Sequence, residues 1–292
     1  MAMPQTSMVP DFDACLEAPR HVVATRSGAM EYAERGAGPP LLAVHGTPGG
    51  CDQGLLVGEV FRAGGFRVIA PSRPGYLGTP LATGATCEDQ ADAMAGLLDT
   101  LGLDRVAVLG ASGGGPSSYL LAARHPDRVA SLLQIDAISM RYVDKHPTMQ
   151  RLNWSRGGVA TTVWLLDHFP GPLIKLVVGT PAEDTPPRDD LVRAVRALTL
   201  SGAGWSKRRD GYTNDMSQFD QLHDLPLADI TCPTLIIHGS ADWDVEPRHA
   251  EHAHEQIADS RLEWIAGGSH LGFSVSPAVQ AEALTWLRSA HT

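Results

Sequence analysis

A serine set among glycines, Gly110-Ala111-Ser112-Gly113-Gly114, follows an apolar run at 106–109 and precedes a stretch with helical spacing at 116–125. A buried strand, a tight turn and a helix are the context that turns Gly-x-Ser-x-Gly into a nucleophile elbow. The hydroxyl of Ser112 would then stand at the apex in a strained backbone conformation. The flanking glycines would be required because a side chain there would clash where strand and helix close on each other. The N-terminus of the helix would aim its unpaired N–H groups at the apex. A phosphate-holding loop is the competing reading, and the absence of Gly-Lys-Ser/Thr after the glycines argues against it.

A serine hydroxyl is a weak nucleophile at neutral pH; it needs a base, and the base needs a group to orient it. After an elbow the expected chain order is Ser, then Asp or Glu, then His. Asp242 lies in Gly239-Ser-Ala-Asp242-Trp-Asp244-Val-Glu-Pro247, just past the apolar run 232–239, and His270 lies in Gly267-Gly-Ser-His270-Leu-Gly-Phe273, past the run 262–265. His270 is read as the base and Asp242 as the orienting acid. Asp244, two residues on, and Asp136, at the end of the sixth strand, stay open as alternatives. Aspartates in such turns also suit loop backbone on their own account. His249, His252 and His254 read as solvated positions on a helix, and His238 as a packed strand residue.

Acyl transfer builds negative charge on the former carbonyl oxygen, and each preorganised N–H donor is worth roughly 10²–10³ in rate. The residue after the nucleophile, Gly113, offers one such N–H, and the loop His45-Gly46-Thr47-Pro48-Gly49-Gly50 offers the other. Thr47 is the best placed there, since Pro48 has no N–H. His45 is expected to hold the loop through its side chain.

Positioning these groups requires a particular set of elements. Residues 1–20 read as a loosely held arm, and 21–26 with 30–35 as a hairpin. Further strands are expected at 41–44, 67–70, 106–109, 128–135, 232–239 and 262–265. Helices are expected at 55–61, 87–101, 116–125, 248–257 and 277–290. The helix at 87–101 opens on the pair Thr86/Asp89 and stops at Gly102. This alternation predicts a mostly parallel eight-stranded sheet with helices on both faces. Residues 138–224 break the rhythm, with helical patches at 161–168, 173–178 and 191–200. So long a segment must have structure of its own, and it would lie over the C-terminal edge of the sheet. The expected division is therefore a core domain of 1–137 and 225–292 and a helical cap of 138–224. Trp154, Trp164, Phe169 and Trp205 could line a substrate pocket in that cap, with Trp243 at its rim. Alternatively, such aromatics form the cap's own small core.

The chain has 292 residues, 43% of them hydrophobic, and a formal net charge of −10. An acidic chain without a basic patch is a poor binder of nucleic acid or anionic membrane. The four cysteines, Cys15, Cys51, Cys87 and Cys232, are too scattered for a zinc site or a disulfide framework. Neither a secretory leader nor an apolar run long enough to span a membrane is present in the sequence. The expectation is a reduced, cytoplasmic protein acting on a small-molecule substrate; a homo-oligomer is compatible with it.

Five motifs in order, His45-Gly-Thr-Pro48, Ser72-Arg-Pro-Gly-Tyr-Leu-Gly78, Gly110-Ala-Ser-Gly-Gly114, Gly239-Ser-Ala-Asp242 and His270, make the chain from about residue 21 onward resemble the α/β-hydrolase superfamily, in its capped, His-Gly-x-Pro-type branch. The resemblance implies the α/β-hydrolase fold and a Ser-His-Asp hydrolase with neither cofactor nor metal, its insertion after the sixth strand lining the pocket. Serine at the elbow argues against the aspartate-nucleophile branches, the haloalkane dehalogenases and epoxide hydrolases. Gly113, where many esterases carry a large residue, leaves room beside the nucleophile. Ser72 stands where the family often has aspartate and reads as a structural turn. The expected function is hydrolysis of a carboxylic ester or related acyl bond of a small to medium substrate through an acyl-enzyme. The same triad could serve carbon–carbon, amide, peptide or lactone hydrolysis, or peroxyacid formation. A non-catalytic ligand-binding member of the fold is a further alternative.

Overall fold

Short runs rich in Val, Ile and Leu, buried on both sides, can form only the interior of a layered sheet. In the computed structural model, which describes residues 10–144, 148, 152–178 and 188–290, they do so. The strands are β1 Arg20–Thr25, β2 Gly28–Arg35, β3 Pro40–Val44, β4 Arg67–Pro71, β5 Val106–Ala111, β6 Val129–Ile135, β7 Thr234–Gly239 and β8 Ser260–Ile265. They build one eight-stranded sheet in the order β1-β2-β4-β3-β5-β6-β7-β8. β1 and β2 form the antiparallel hairpin, and β2 also runs antiparallel to β4. From β4 to β8 all neighbours are parallel.

Alternate side chains of each strand feed opposite faces. Leu42, Val44 and Val108 meet Met94, Leu97 and Tyr119 on one side. Leu41, Ala43 and Leu109 meet Phe61, Ile237 and Leu287 on the other. The covering helices are α1 Phe12–Leu16, α2 Cys51–Ala63, α3 Cys87–Thr100, α4 Gly115–Arg124, α9 Arg248–Gln256 and α10 Pro277–Ala290. The start of α3 is a full capping box: Thr86 accepts from the Asp89 N–H and Asp89 from the Thr86 N–H.

Two expectations need correction. The arm at 1–20 is not loose throughout: Asp11 caps α1 by accepting from the Ala14 N–H, and Cys15 is buried. Residues 1–9 lie outside the described residues. Helix α2 begins at Cys51, four residues before apolar spacing starts, because glycines occupy the face that lies on the sheet. A Cβ at Gly54 would come within 2.7 Å of the Ala43 carbonyl oxygen, so the first turn of the contact face carries no large apolar side chain.

Between β6 and β7 the described residues form α5 Arg156–His168, α6 Pro170–Val178, α7 Arg188–Ser201 and α8 Arg209–Asp220. Leu166, Ile174, Leu191 and Val195 form a small apolar cluster that reaches Val275, in the short turn after His270. Helix α7 packs on α1 and α2 as well as on α5. The inserted helices are thus fastened to the sheet's own helical layer. Among the described residues no helix is long and apolar enough to cross a membrane.

Candidate active site

The elbow is built by close approach. Strand β5 is buried along its whole length and passes through one 3-10 turn, Ser112–Gly114, into α4. A Cβ at Gly110 would fall 2.1 Å from Ser118 Oγ, and one at Gly114 2.6 Å from the Val44 carbonyl oxygen. Ser112 itself has φ +50°, a conformation that costs a non-glycine residue of order 1–3 kcal/mol. It puts the hydroxyl at the C-terminal edge of the sheet.

The turns after β7 and β8 bring two more side chains to that edge. His270 Nε2 lies 2.9 Å from Ser112 Oγ, and His270 Nδ1 lies 2.7 Å from Asp242 Oδ2. The other oxygen of Asp242 accepts the backbone N–H groups of Asp244 at 2.9 Å and Val245 at 3.1 Å. Burial opposes charge on His270, but Asp242 outweighs it by charge and hydrogen bond, with Asp244 and Asp136 adding to it, and the imidazole is raised above its ordinary value. Burial likewise opposes ionisation of Asp242, yet His270 holds that carboxyl below the usual range.

The other two aspartates differ in what they face. Asp244 accepts the Tyr142 hydroxyl at 2.7 Å and keeps its second oxygen 4.0 Å from His270 Nε2. Asp136 has φ +47° and accepts the Gly239 N–H at 2.8 Å, while its Oδ2 is buried with no hydrogen-bond partner. Burial, with Asp242 adding to it and His270 opposing, pushes its carboxyl up to about 8. Of the three, only Asp242 meets the Nδ1 of His270. His238 is buried behind it, with Nε2 2.8 Å from the Val245 carbonyl oxygen and 3.5 Å from Asp242. His249, expected in solvent, is buried instead; its Nδ1 accepts the Ser139 N–H at 3.2 Å.

The loop after β3 is held through the side chain of His45, as expected, and by a wider network that the sequence did not disclose. His45 is fully buried, and burial, with Arg73 next, keeps its imidazole well below the ordinary value. The neutral ring donates from Nδ1 to the Gly46 carbonyl at 2.7 Å and accepts the Arg73 N–H at Nε2, 2.9 Å away. The guanidinium of Arg73 forms a buried pair with Asp215 of α8 at 2.6 Å. Thr47 stands against both. Arg73 belongs to the Ser72-Arg-Pro-Gly motif, but nothing in the pattern of α8 marks Asp215.

Thr47, Ser112 and Gly113 share a cavity of about 20 Å³ with Ile138, Tyr142, Asp144, Tyr212, Met216, Phe219, Asp244 and Val245. Tyr212, Met216 and Phe219 follow one another at helical spacing along α8. The expected pocket aromatics stand elsewhere. Trp154 packs against Gly202, and Trp205 against Tyr212 with centroids 5.1 Å apart. Trp164 is exposed, stacked on His168 and edge-on to Phe169, which is also exposed. Trp243 is exposed as well. Among the described residues, none of the five lines the cavity at Ser112.

A family model described as alpha/beta hydrolase fold matches residues 39–277. The chain is 28% identical over 255 residues to the uncharacterized hydrolase YcgS of Bacillus subtilis, covering 84% of this chain and 89% of that protein. It superposes on a solved alpha/beta hydrolase fold protein from Nakamurella multipartita with TM-score 0.81 at 37% identity, covering 93% of this chain and 99% of the other. A thermophilic esterase from Thermogutta terrifontis shares the fold at TM-score 0.64 and 24% identity, over 94% of this chain and 100% of the other.

Proposed function

The chain belongs to the α/β-hydrolase family and is a hydrolase, and on that premise we propose that it is a serine hydrolase cleaving carboxylic esters of small to medium size through an acyl-enzyme. The observation that carries this reading is the unbroken chain from Ser112 Oγ to His270 at 2.9 Å and on to Asp242 at 2.7 Å. Esterases among the structures of like fold agree with it.

In the reaction, Ser112 attacks the ester carbonyl while His270 Nε2 takes the hydroxyl proton. Asp242 accepts the Nδ1–H, so the tautomer with a free Nε2 is the one presented, and the carboxylate stabilises the imidazolium that forms. The N–H groups of Thr47 and Gly113, beside Ser112 in the same cavity, receive the developing oxyanion. His270 returns its proton to the leaving alkoxide. Water, activated by the same imidazole, then hydrolyses the acyl-enzyme. The helices between β6 and β7 act as a cap over this edge, and α8 supplies the apolar wall for the acyl group through Met216 and Phe219.

A fluorophosphonate probe tests the reading directly. Wild-type protein should be labelled and should hydrolyse p-nitrophenyl acetate or butyrate; Ser112→Ala should do neither while melting at the wild-type temperature. Wild-type protein that takes no label, or label that survives in Ser112→Ala, would refute it.

A further inference from the structure

We propose that Asp215, a residue of the inserted helix α8, is a positioning residue for the oxyanion-binding loop and acts through the side chain of Thr47. The proposal rests on the serine-hydrolase reading above and concerns how one of its two N–H donors is held.

In the segment Gly46-Thr47-Pro48, Thr47 carries the polar side chain, and that side chain is fully engaged. Its Oγ1 donates to Asp215 Oδ2 at 2.5 Å and accepts from Arg73 Nη2 at 2.9 Å. Asp215 Oδ2 also accepts Arg73 Nη2 and the Tyr76 hydroxyl, each at 2.6 Å, and Asp215 Oδ1 accepts Arg73 Nη1 at 2.9 Å. Arg73 in turn donates to the carbonyls of His45 at 3.0 Å and Gly46 at 3.2 Å. The fork of the guanidinium and the plane of the carboxylate therefore fix the loop from two sides, by backbone and by hydroxyl. Bidentate charged pairs are the ones that add geometry to energy.

The cost of this arrangement makes a positioning role the natural explanation. Arg73 and Asp215 are each 1% exposed. Two charges so deeply buried are weak contributors to stability, since desolvation opposes their attraction. What the pair supplies is direction. Its carboxylate comes from the helix whose Tyr212, Met216 and Phe219 line the cavity at Ser112. The same part of the insertion is fastened to the neighbouring loops at other points. Gly211 N–H donates to the Gly75 carbonyl at 2.9 Å, Leu77 N–H to the Lys207 carbonyl at 2.8 Å, and Arg208 to Asp52 at 2.7 Å. Thus the helix that meets the acyl group also sets the donor that meets its oxyanion.

The experiment uses Thr47→Val, Thr47→Ser and Asp215→Asn in the full chain, with p-nitrophenyl butyrate as substrate and an alkyl trifluoromethyl ketone as oxyanion mimic. Thr47→Val keeps the backbone N–H and leaves the Arg73–Asp215 pair whole. Its kcat should fall by at least about tenfold, a fraction of the roughly 10²–10³ carried by a complete donor. KM should stay within about twofold, the pattern of an interaction made only in the transition state. Affinity for the trifluoromethyl ketone should fall in parallel with kcat, the melting temperature should hold, and Thr47→Ser should restore both. Asp215→Asn should show the same split between kcat and KM. Unchanged kcat in Thr47→Val overturns the proposal, as does an Asp215→Asn variant that loses stability and KM together while ketone affinity tracks neither. A wild-type protein that fails to react with a fluorophosphonate refutes the serine-hydrolase reading itself, a result distinct from either.

Discussion

The carboxylate of Asp136 accepts the backbone N–H of Gly239 at 2.8 Å, so one acid pins the end of the strand from which a second acid, Asp242, is delivered to the imidazole. The two lie close enough to His270 for one atom of each to fall within 4.8 Å of the others, yet the proposed mechanism gives them different work. Asp242→Asn should lower kcat by about 10⁴ by favouring the wrong tautomer. Asp136→Asn should leave kcat within about tenfold, a barrier change near 1.4 kcal/mol. Steady-state kinetics on p-nitrophenyl butyrate separates them, and the reverse ranking would make Asp136 the orienting acid.

The acid limb of the pH–rate profile should lie above the ordinary imidazole value. His270 must be neutral to accept the serine proton. Burial favours the neutral ring, but Asp242 above all, with Asp244 and then Asp136 adding to it, raises its proton affinity above 6.5. Removing negative charge should therefore move the limb of kcat/KM to lower pH, further in Asp242→Asn than in Asp244→Asn. The linked stability has the opposite pH sense. A pair that raises the folded value of a histidine is fully stabilising below the unfolded value and is lost as pH rises through the folded one. A limb that stays in place in both variants would contradict the assignment.

Gly113→Ala should be far more damaging than its size implies. A Cβ there would fall 2.2 Å from Thr47 Oγ1, and Thr47 cannot retreat while Asp215 and Arg73 grip it. The clash would push the two donors apart, with an expected loss of roughly 10²–10³ in kcat, the worth of one donor. Phosphonylation of Ser112 should slow with it. Wild-type turnover in this variant would show that the loop gives way freely.

Gly54→Ala tests the packing of α2 on the sheet. In an exposed helix the change would stabilise by about 1 kcal/mol. Here the new carbon would lie 2.7 Å from the Ala43 carbonyl oxygen and 2.8 Å from Ala70 Cβ. Backbone at the sheet centre cannot step aside, and overpacking costs about 1–3 kcal/mol. Urea denaturation should therefore show a lower midpoint, and a raised one would mean that the helix can lift off the strands.

Much of the fold was legible because its signals are local. Buried strands announce themselves as apolar runs, α3 by the Thr86/Asp89 cap, and the turns after β5, β7 and β8 by glycines next to Ser112, Asp242 and His270. Asp242 was read as the orienting acid with Asp136 and Asp244 left open, since all three follow strand ends and only side-chain direction separates them. The pocket was hidden for another reason. Large aromatics such as Trp164 and Trp243 draw the eye but stand exposed, while the wall at Ser112 comes from α8, a helix crowded with polar residues. Arg73 and Asp215 reverse the usual rule that charge lies outside, because each balances the other's charge and their remaining hydrogen bonds are met by Thr47, Tyr76, Gln90 and the loop carbonyls.

The cavity beside Ser112 is narrow, and Met216 of α8 stands in its wall. Of the side chains there, Met216 is the one most able to yield to an entering ester, being unbranched and pliable. Admission and chemistry then become separate hurdles: lengthening the acyl chain should tax the first without touching the second, so bulk would slow capture of the substrate while leaving the reactivity of the captured carbonyl as it was.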